Sequence, residues 1–328
     1  MKKKSSRRRT KIVRRSKKNM RRTIKRKNIR KSGRRPTRRY SRIQRGGEGI
    51  SSENLSCLVK IGNMYEEGKG VAQNYKEVVK YYRLAADNGD ASAQLKLGIM
   101  YEEGKGVVKN YEEAVKYYRL AADNGDESVQ LKLGIMYEEG KDVERNYEEA
   151  VKYYKLVADM GNAQAQNNLA LMFLTGKGVE QNYEEAVKYY TLAAKQGFAE
   201  AQFQLGIMYE DGKGVAKNYE EAVQLYTLAA NQGFAYAQYE LGKLYDEGKK
   251  ITQDYTNAIK YYKLAAKSLD DSYLKEDVEF KLGIMYEEGK GVDRDYNSSL
   301  EWYRKAATNK NKEATKKIPT IEALISKT

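Results

Sequence analysis

Histidine is absent from this 328-residue chain, cysteine and tryptophan each occur once, and proline occurs twice. Without histidine there is no imidazole general base, no histidine-containing triad and no histidine-ligated zinc. A single thiol, Cys57, excludes an intramolecular disulfide and any Cys-x-x-Cys metal or redox site, so a reducing compartment suffices. Scarcity of proline leaves long helical arrays uninterrupted. No stretch approaches the roughly 18 apolar residues of a membrane span, and the N-terminus lacks the apolar core of a signal peptide. On these absences the chain is expected inside the cell, in cytoplasm, nucleus or nucleolus, and not on the ordinary secretory route.

Acidic residues are missing from residues 1–45, which hold 24 Lys and Arg. Subtracting these 24 from the chain's 61 leaves 37 basic residues against 45 acidic ones in residues 46–328, a formal charge of −8 beside a strongly cationic tail. So many like charges with few apolar residues bury too little to fold, and disorder is expected for residues 1–49, with Gly46, Gly47 and Gly49 as a flexible joint. The expected partners are polyanions or an import receptor. The contacts are expected on Arg7, Arg8 and Arg9, on Arg14 and Arg15, and on Lys25, Arg26 and Lys27. Farther along are the pairs Arg34 and Arg35, and Arg38 and Arg39. An anionic membrane surface would attract the same charges, but the tail shows no amphipathic stripe or lipidation motif.

Beyond the tail, the block from Gln94 to Asp126 recurs with a 36-residue step. Gly62, Gly98, Gly134, Gly206 and Gly242 are equivalent, Ala170 replaces this glycine in the fourth copy, and Gly283 follows after a step of 41, through an insertion around residues 268–277. Seven copies run approximately over 55–90, 91–126, 127–162, 163–198, 199–234, 235–275 and 276–311. Within a copy, Gln94, Leu97, Gly98 and Tyr101 fall at i, i+3, i+4 and i+7, one face of a first helix that Gly104 terminates. Asn110 opens a second helix, with Glu113 three residues on as the reciprocal arm of a capping box. Tyr111, Ala114, Val115, Tyr118, Ala121 and Ala122 form its apolar stripe, and Glu112 and Lys116 an i to i+4 pair. One helix pair cannot bury both faces alone, so stacked pairs in an all-α solenoid are expected over residues 50–311. A capping helix is expected over 312–328, with Ile318, Ile321, Leu324 and Ile325 facing inward and Pro319 near its start.

The A-x-A-Q-x-x-L-G-x-M-Y-E-E-G-K-G-V core, followed by N-Y-E-E-A and A-A-x-x-G, resembles the Sel-one-like repeat, or SLR, a 36-residue relative of the tetratricopeptide repeat. The resemblance covers about residues 55–311. It implies a right-handed superhelix whose first helices line the concave surface, used as an adaptor for protein complexes, with no reaction and no cofactor. The secreted, cysteine-rich members carry paired cysteines in each repeat, which this chain lacks. The Lys, Asn, Tyr and Ile-rich composition, with near-identical second and third copies, also resembles repeat proteins encoded by giant DNA viruses.

Placed on that concave surface, Leu95 with Ile99, Leu131 with Ile135, and Phe203 with Ile207 form apolar patches bordered by Glu102, Glu138 and Glu210. Asn167, Leu171 and Tyr239 extend the surface in the two divergent copies, the fourth and the sixth. A peptide carrying Lys or Arg and apolar residues suits such a groove. The alternative is that these side chains merely pack between neighbouring helices. A catalytic reading has little support, because Glu102 and Glu103 project about 100° apart and recur along the array. The GKG loops lack the spacing and the Ser or Thr of a phosphate-binding loop. The tyrosines, at fixed helical positions, are expected in the core in preference to stacking on bases. Cys57, at the place of Ala93, Ala165 and Ala201, is expected to be buried. Two functions of different class remain besides an enzyme of unknown type: an interaction scaffold, or a structural nucleic-acid-binding protein in which the tail does the work.

Overall fold

The structure is a computed structural model, and it describes residues 51–327. Among these residues there are fifteen α-helices and no strand. The expectations for residues 1–50 therefore lie outside the described residues. The chain divides into two compact units, the first ending at Asp126 and the second beginning at Glu127.

The first unit contains α1 (Ser52–Glu67), α2 (Tyr75–Ala86), α3 (Ala91–Glu103) and α4 (Tyr111–Asp123). The second contains α5 (Glu127–Glu139), α6 (Tyr147–Asp159), α7 (Ala163–Thr175), α8 (Tyr183–Lys195), α9 (Ala199–Asp211) and α10 (Tyr219–Asn231). It continues with α11 (Ala235–Glu247), α12 (Tyr255–Ser268), α13 (Ser272–Glu288), α14 (Tyr296–Thr308) and α15 (Lys312–Ile325). Within each unit every helix packs on its neighbours in sequence, the arrangement of an α-solenoid. Four of the five inserted residues lengthen α13, which is 17 residues long where the corresponding α11 has 13, and the fifth lengthens α12, which has 14 where α10 has 13.

The first helix of each repeat ends on a left-handed glycine, such as Gly104 at φ 74°. In the GKG loop the second glycine has a different task. A Cβ on Gly106 would collide with the Tyr75 backbone, and one on Gly178 with the Tyr147 backbone, so these loops lie flat against the preceding repeat. Close packing explains the motif without any phosphate.

In the first five repeats the second helix is capped by an asparagine side chain, and in the last two by Asp254 and Asp295: Asn110 Oδ1 accepts from the Glu113 amide at 3.1 Å, and Asn218 Oδ1 from the Glu221 amide at 3.2 Å. The reciprocal arm of the expected capping box is missing. The Asn110 amide donates instead to the Tyr101 carbonyl at 3.0 Å, tying the two helices together and leaving Glu113 no donor to reach. Glu113 turns outward and pairs with Lys116 at 3.2 Å, so the surface ion pair is i to i+3 and not the expected Glu112 to Lys116. Asn218→Ala should cost about 1 kcal/mol of stability, the usual value of an N-cap, with helix content retained. Comparison of denaturant midpoints by circular dichroism checks this, and an unchanged midpoint would assign the cap no role.

Each helix pair but the fourth, where Ala170 stands instead, closes around a glycine and a tyrosine. An added Cβ at Gly98 would lie 2.6 Å from Tyr118 Cε1, and at Gly206 2.6 Å from Tyr226 Cε1, so the ring occupies the space that the missing side chain leaves. Tyr118, Ala114, Ala121 and Ala122 are buried as expected. Tyr117, outside the expected stripe, is buried too, stacked on Tyr101 with ring centres 5.9 Å apart. The stacked pair recurs as Tyr137 with Tyr153 and Phe173 with Tyr189. The tyrosines of the inner faces thus serve packing, whereas Tyr183, Tyr236 and Tyr273 are exposed. Cys57 is only half-buried, unlike Ala93, Ala165 and Ala201, because it begins the array where they follow an earlier repeat. Pro319 lies in the middle of α15, not near its start, while Ile321 is buried in the terminal cluster with Ile318, Leu324 and Ile325 packed around it.

Candidate functional site

The first helices carry the side chains expected to bind a partner. Leu95, Ile99 and Glu102 on α3 are half-buried, as are Leu131, Ile135 and Glu138 on α5. Leu171 on α7, Phe203, Ile207 and Glu210 on α9, and Tyr239 on α11 have the same intermediate exposure. Asn167 departs from expectation: only 3% of it is exposed, so it belongs to the interior of the repeat and not to a binding surface. Phe203 and Ile207 pack against one apolar cluster, with the Phe203 ring centre 5.6 Å from Tyr226. Tyr239 packs against the next cluster and donates to Asp277 at 3.2 Å.

The acids at the border are already engaged, which the sequence reading missed. The Tyr118 hydroxyl donates to Glu102 at 2.5 Å, Tyr154 to Glu138 at 2.5 Å and Tyr226 to Glu210 at 2.7 Å. The series includes Tyr82 with Glu66, Tyr262 with Asp246 and Tyr303 with Glu287. Burial first, and the neighbouring carboxylate second, push the hydroxyls of Tyr118, Tyr154 and Tyr226 far above the ordinary phenol range. Tyr117 is pushed up to about 12 by burial and by Asp87. The recurring 16-residue spacing of acid and tyrosine was the available signal. In the fourth repeat Leu174 replaces the acid opposite Tyr190.

A second stitch runs between repeats. Buried Gln94 donates through Nε2 to the Ala86 carbonyl at 3.1 Å, and its Oε1 accepts from Asn124 at 2.9 Å. Gln166 does the same with Ala158 and Gln196, and Gln202 with Ala194 and Gln232. An amide recurring on an otherwise apolar stripe marks this position in the sequence.

In the second unit the third and fourth repeats enclose a cleft of about 500 Å³ lined by Ile135, Glu138, Glu139, Arg145, Tyr147, Tyr154, Gln164, Asn168 and Lys177. It unites two expected site residues, Ile135 and Glu138, with Gln164 and Asn168 of the divergent repeat. Among the described residues no group of three or more His, Cys, Asp or Glu is placed to hold a metal ion, and no helix is long and apolar enough to cross a membrane.

Helix pairs at a 36-residue step, a glycine under a tyrosine ring in every repeat but the fourth, and a glycine-rich loop against the preceding repeat define a Sel1-type α-solenoid. Seven segments match the Sel1 repeat, at residues 55–90, 91–126, 128–162, 163–198, 199–234, 235–268 and 277–311, and the chain belongs to the Sel1 repeat family. Proteins of this family are typically scaffolds for protein–protein interaction and are generally non-enzymatic. Among solved structures, the chain is similar to a protective antigen present in uropathogenic Escherichia coli strains that displays an SLR fold. The two are 32% identical with a TM-score of 0.69, over 82% of this chain and 57% of that one. It is also similar to a Sel1 repeat protein from Oxalobacter formigenes, 33% identical with a TM-score of 0.66, over 81% of this chain and 76% of that one. The chain thus spans little more than half the length of the first of these relatives. No curated protein sequence gives a significant match.

Proposed function

We propose that this chain is a non-enzymatic adaptor in which the first helices hold a partner peptide bearing basic and apolar residues, while residues 1–45 engage nucleic acid or an import receptor. The observation that carries the reading is the series of half-buried apolar side chains, Leu95 and Ile99, then Leu131 and Ile135, beside a core that Leu97 and Leu133 already close. Residues needed only for packing would be covered by that packing; these keep part of their apolar surface in water.

A second reading is favoured by the internal engagement of Phe203, Ile207, Tyr239 and the tyrosine-bound acids. Here the helices provide bulk, and the 24 basic residues of the tail bind nucleic acid as the chain's principal task. Affinity capture with residues 50–328 separates the two. A specific protein recovered without the tail supports the adaptor, whereas nucleic acid recovered only by the full chain supports the second reading.

For the tail, Lys and Arg without structured aromatics read phosphate charge and not bases. A peptide of residues 1–45 that neutralises about eight phosphates of duplex DNA should show a log affinity against log salt slope of roughly −7. Fluorescence anisotropy at several salt concentrations measures the slope, and salt-insensitive binding would refute the phosphate reading.

A further inference from the structure

The repeats neutralise their tyrosine-bound acids with lysines from farther along the chain. Lys96 reaches Glu66 at 3.5 Å, Lys281 reaches Asp246 at 3.8 Å, and Lys317 sits 2.8 and 3.0 Å from the two oxygens of Glu287. The first two of these lysines occupy one repeat position, filled in the four intervening copies by Lys132, Asn168, Gln204 and Glu240. Opposite Gln204 the acid is gone as well, replaced by Leu174. Opposite Glu240 the acid is Glu210, and Lys250 from a nearby loop covers it at 2.5 Å. Within the second unit this leaves Glu138, which accepts from Tyr154 but receives no ammonium from the described residues, because Asn168 stands where the lysine belongs. The cleft described above opens at this carboxylate.

We infer that this cleft is a receptor for a single lysine side chain of a partner polypeptide, whose ammonium takes the place on Glu138 that the array's own lysines take elsewhere. The inference deepens the adaptor reading and rests on it. Lysine is specified over arginine because one Glu138 oxygen already accepts the Tyr154 hydroxyl, which obstructs a two-pronged guanidinium contact. An ammonium tolerates that arrangement: Glu287 holds Tyr303 and Lys317 together. The lysine stem has Ile135 to lie on. Arg145 and Lys177, 5.8 and 5.5 Å from the Tyr147 ring centre, add positive charge to the same cleft. They disfavour a second cation, so an isolated lysine is selected and a polybasic run such as residues 1–45 is not.

The test uses the full chain with the Ile135 methyl observed by NMR and N-acetyl-lysine methylamide as the probe. A saturable shift of that methyl is expected, absent when the probe's Nζ is acetylated. Glu138→Gln should weaken the probe at least about tenfold, since it keeps the shape and removes the charge. Asn168→Lys should abolish binding by filling the site from within. If Asn168→Lys does not fold, Glu138→Gln decides alone. No saturable shift, equal shifts with the acetylated probe, or undiminished binding to Glu138→Gln would overturn the inference. The adaptor reading would survive that result, because it stands or falls on the capture of a protein partner by residues 50–328.

Discussion

Gly134→Val should lower the denaturant midpoint of the protein far more than Lys155→Ala. The first Cβ atom at position 134 would lie 2.6 Å from Tyr154 Cε1 and 2.7 Å from Cδ1, and the Tyr154 side chain is fully buried, so its ring has nowhere to swing. Overpacking of this kind costs about 1–3 kcal/mol. Displacing the ring also breaks the 2.5 Å bond from its hydroxyl to Glu138, a charged hydrogen bond of a class worth about 1.5–3 kcal/mol. Valine recovers only a few tenths of a kcal/mol over glycine in helix propensity. A net loss of about 3 kcal/mol is expected, against about 0.5 kcal/mol or less for exposed Lys155. Gly134→Ala should fall between, because the fourth repeat accepts Ala170 under Tyr190. Urea titrations of the three variants followed by circular dichroism give the ranking. Equal effects of Gly134→Val and Lys155→Ala would mean that the glycine–tyrosine contact does not hold the pair together.

The fourth repeat also shows why part of the site could not be read from the sequence. The helix pairs, their glycine ends and the buried stripe from Gln94 to Tyr101 follow from local periodicity, which sequence displays directly. The contact of Gly98 with Tyr118 joins two helices, yet the place of each residue on its own inner stripe is legible because both recur at one step. The bond from Tyr118 to Glu102 recurs at the same step and was still missed. A glutamate on a helix beside an acidic surface reads as solvated until a buried hydroxyl is found to donate to it. Tyr117 was missed because its partner, Tyr101, belongs to the other helix of the pair. Glu113 was misassigned for a comparable reason: the Asn110 amide it was expected to cap is spent on the Tyr101 carbonyl, an interhelical bond invisible to spacing within one helix. The exceptions in the fourth repeat, Ala170, Leu174 and Asn168, fall on three positions of this one network. The alanine stands where the ring lies over glycine, the leucine where the hydroxyl meets an acid, and the asparagine where a lysine would close the preceding acid. Each is an ordinary substitution when read singly, and only the packing of Tyr154 and Tyr190 makes them one feature.

Alkaline pH should unfold the protein steeply, and the titration of its tyrosines should report it. Tyr82, Tyr118, Tyr154, Tyr226 and Tyr303 are held protonated first by burial and then by the carboxylate each bonds, and Tyr262 by burial and then by the charge of Asp246. Their folded values lie above the unfolded phenol value of about 10. A group raised in the folded state contributes stability that is complete below the unfolded value and is lost as pH rises toward the folded one. Stability is therefore insensitive to these groups at neutral pH and falls once pH exceeds about 10, each group contributing up to about 1.4 kcal/mol per pH unit. Tyr82 and Tyr118 belong to the first unit and the other four to the second, so both units carry the sensitivity. In the ultraviolet, exposed tyrosines should ionise first, with helix content intact. These six, and Tyr190, whose hydroxyl burial also raises, should ionise later, together with the loss of circular dichroism. Tyr154→Phe should make the dependence of the second unit on alkaline pH shallower by the share of one group, though at a cost to stability at neutral pH. Complete ionisation of all tyrosines near the ordinary value with the helices still formed would show that the hydroxyl–carboxylate pairs do not restrain these side chains.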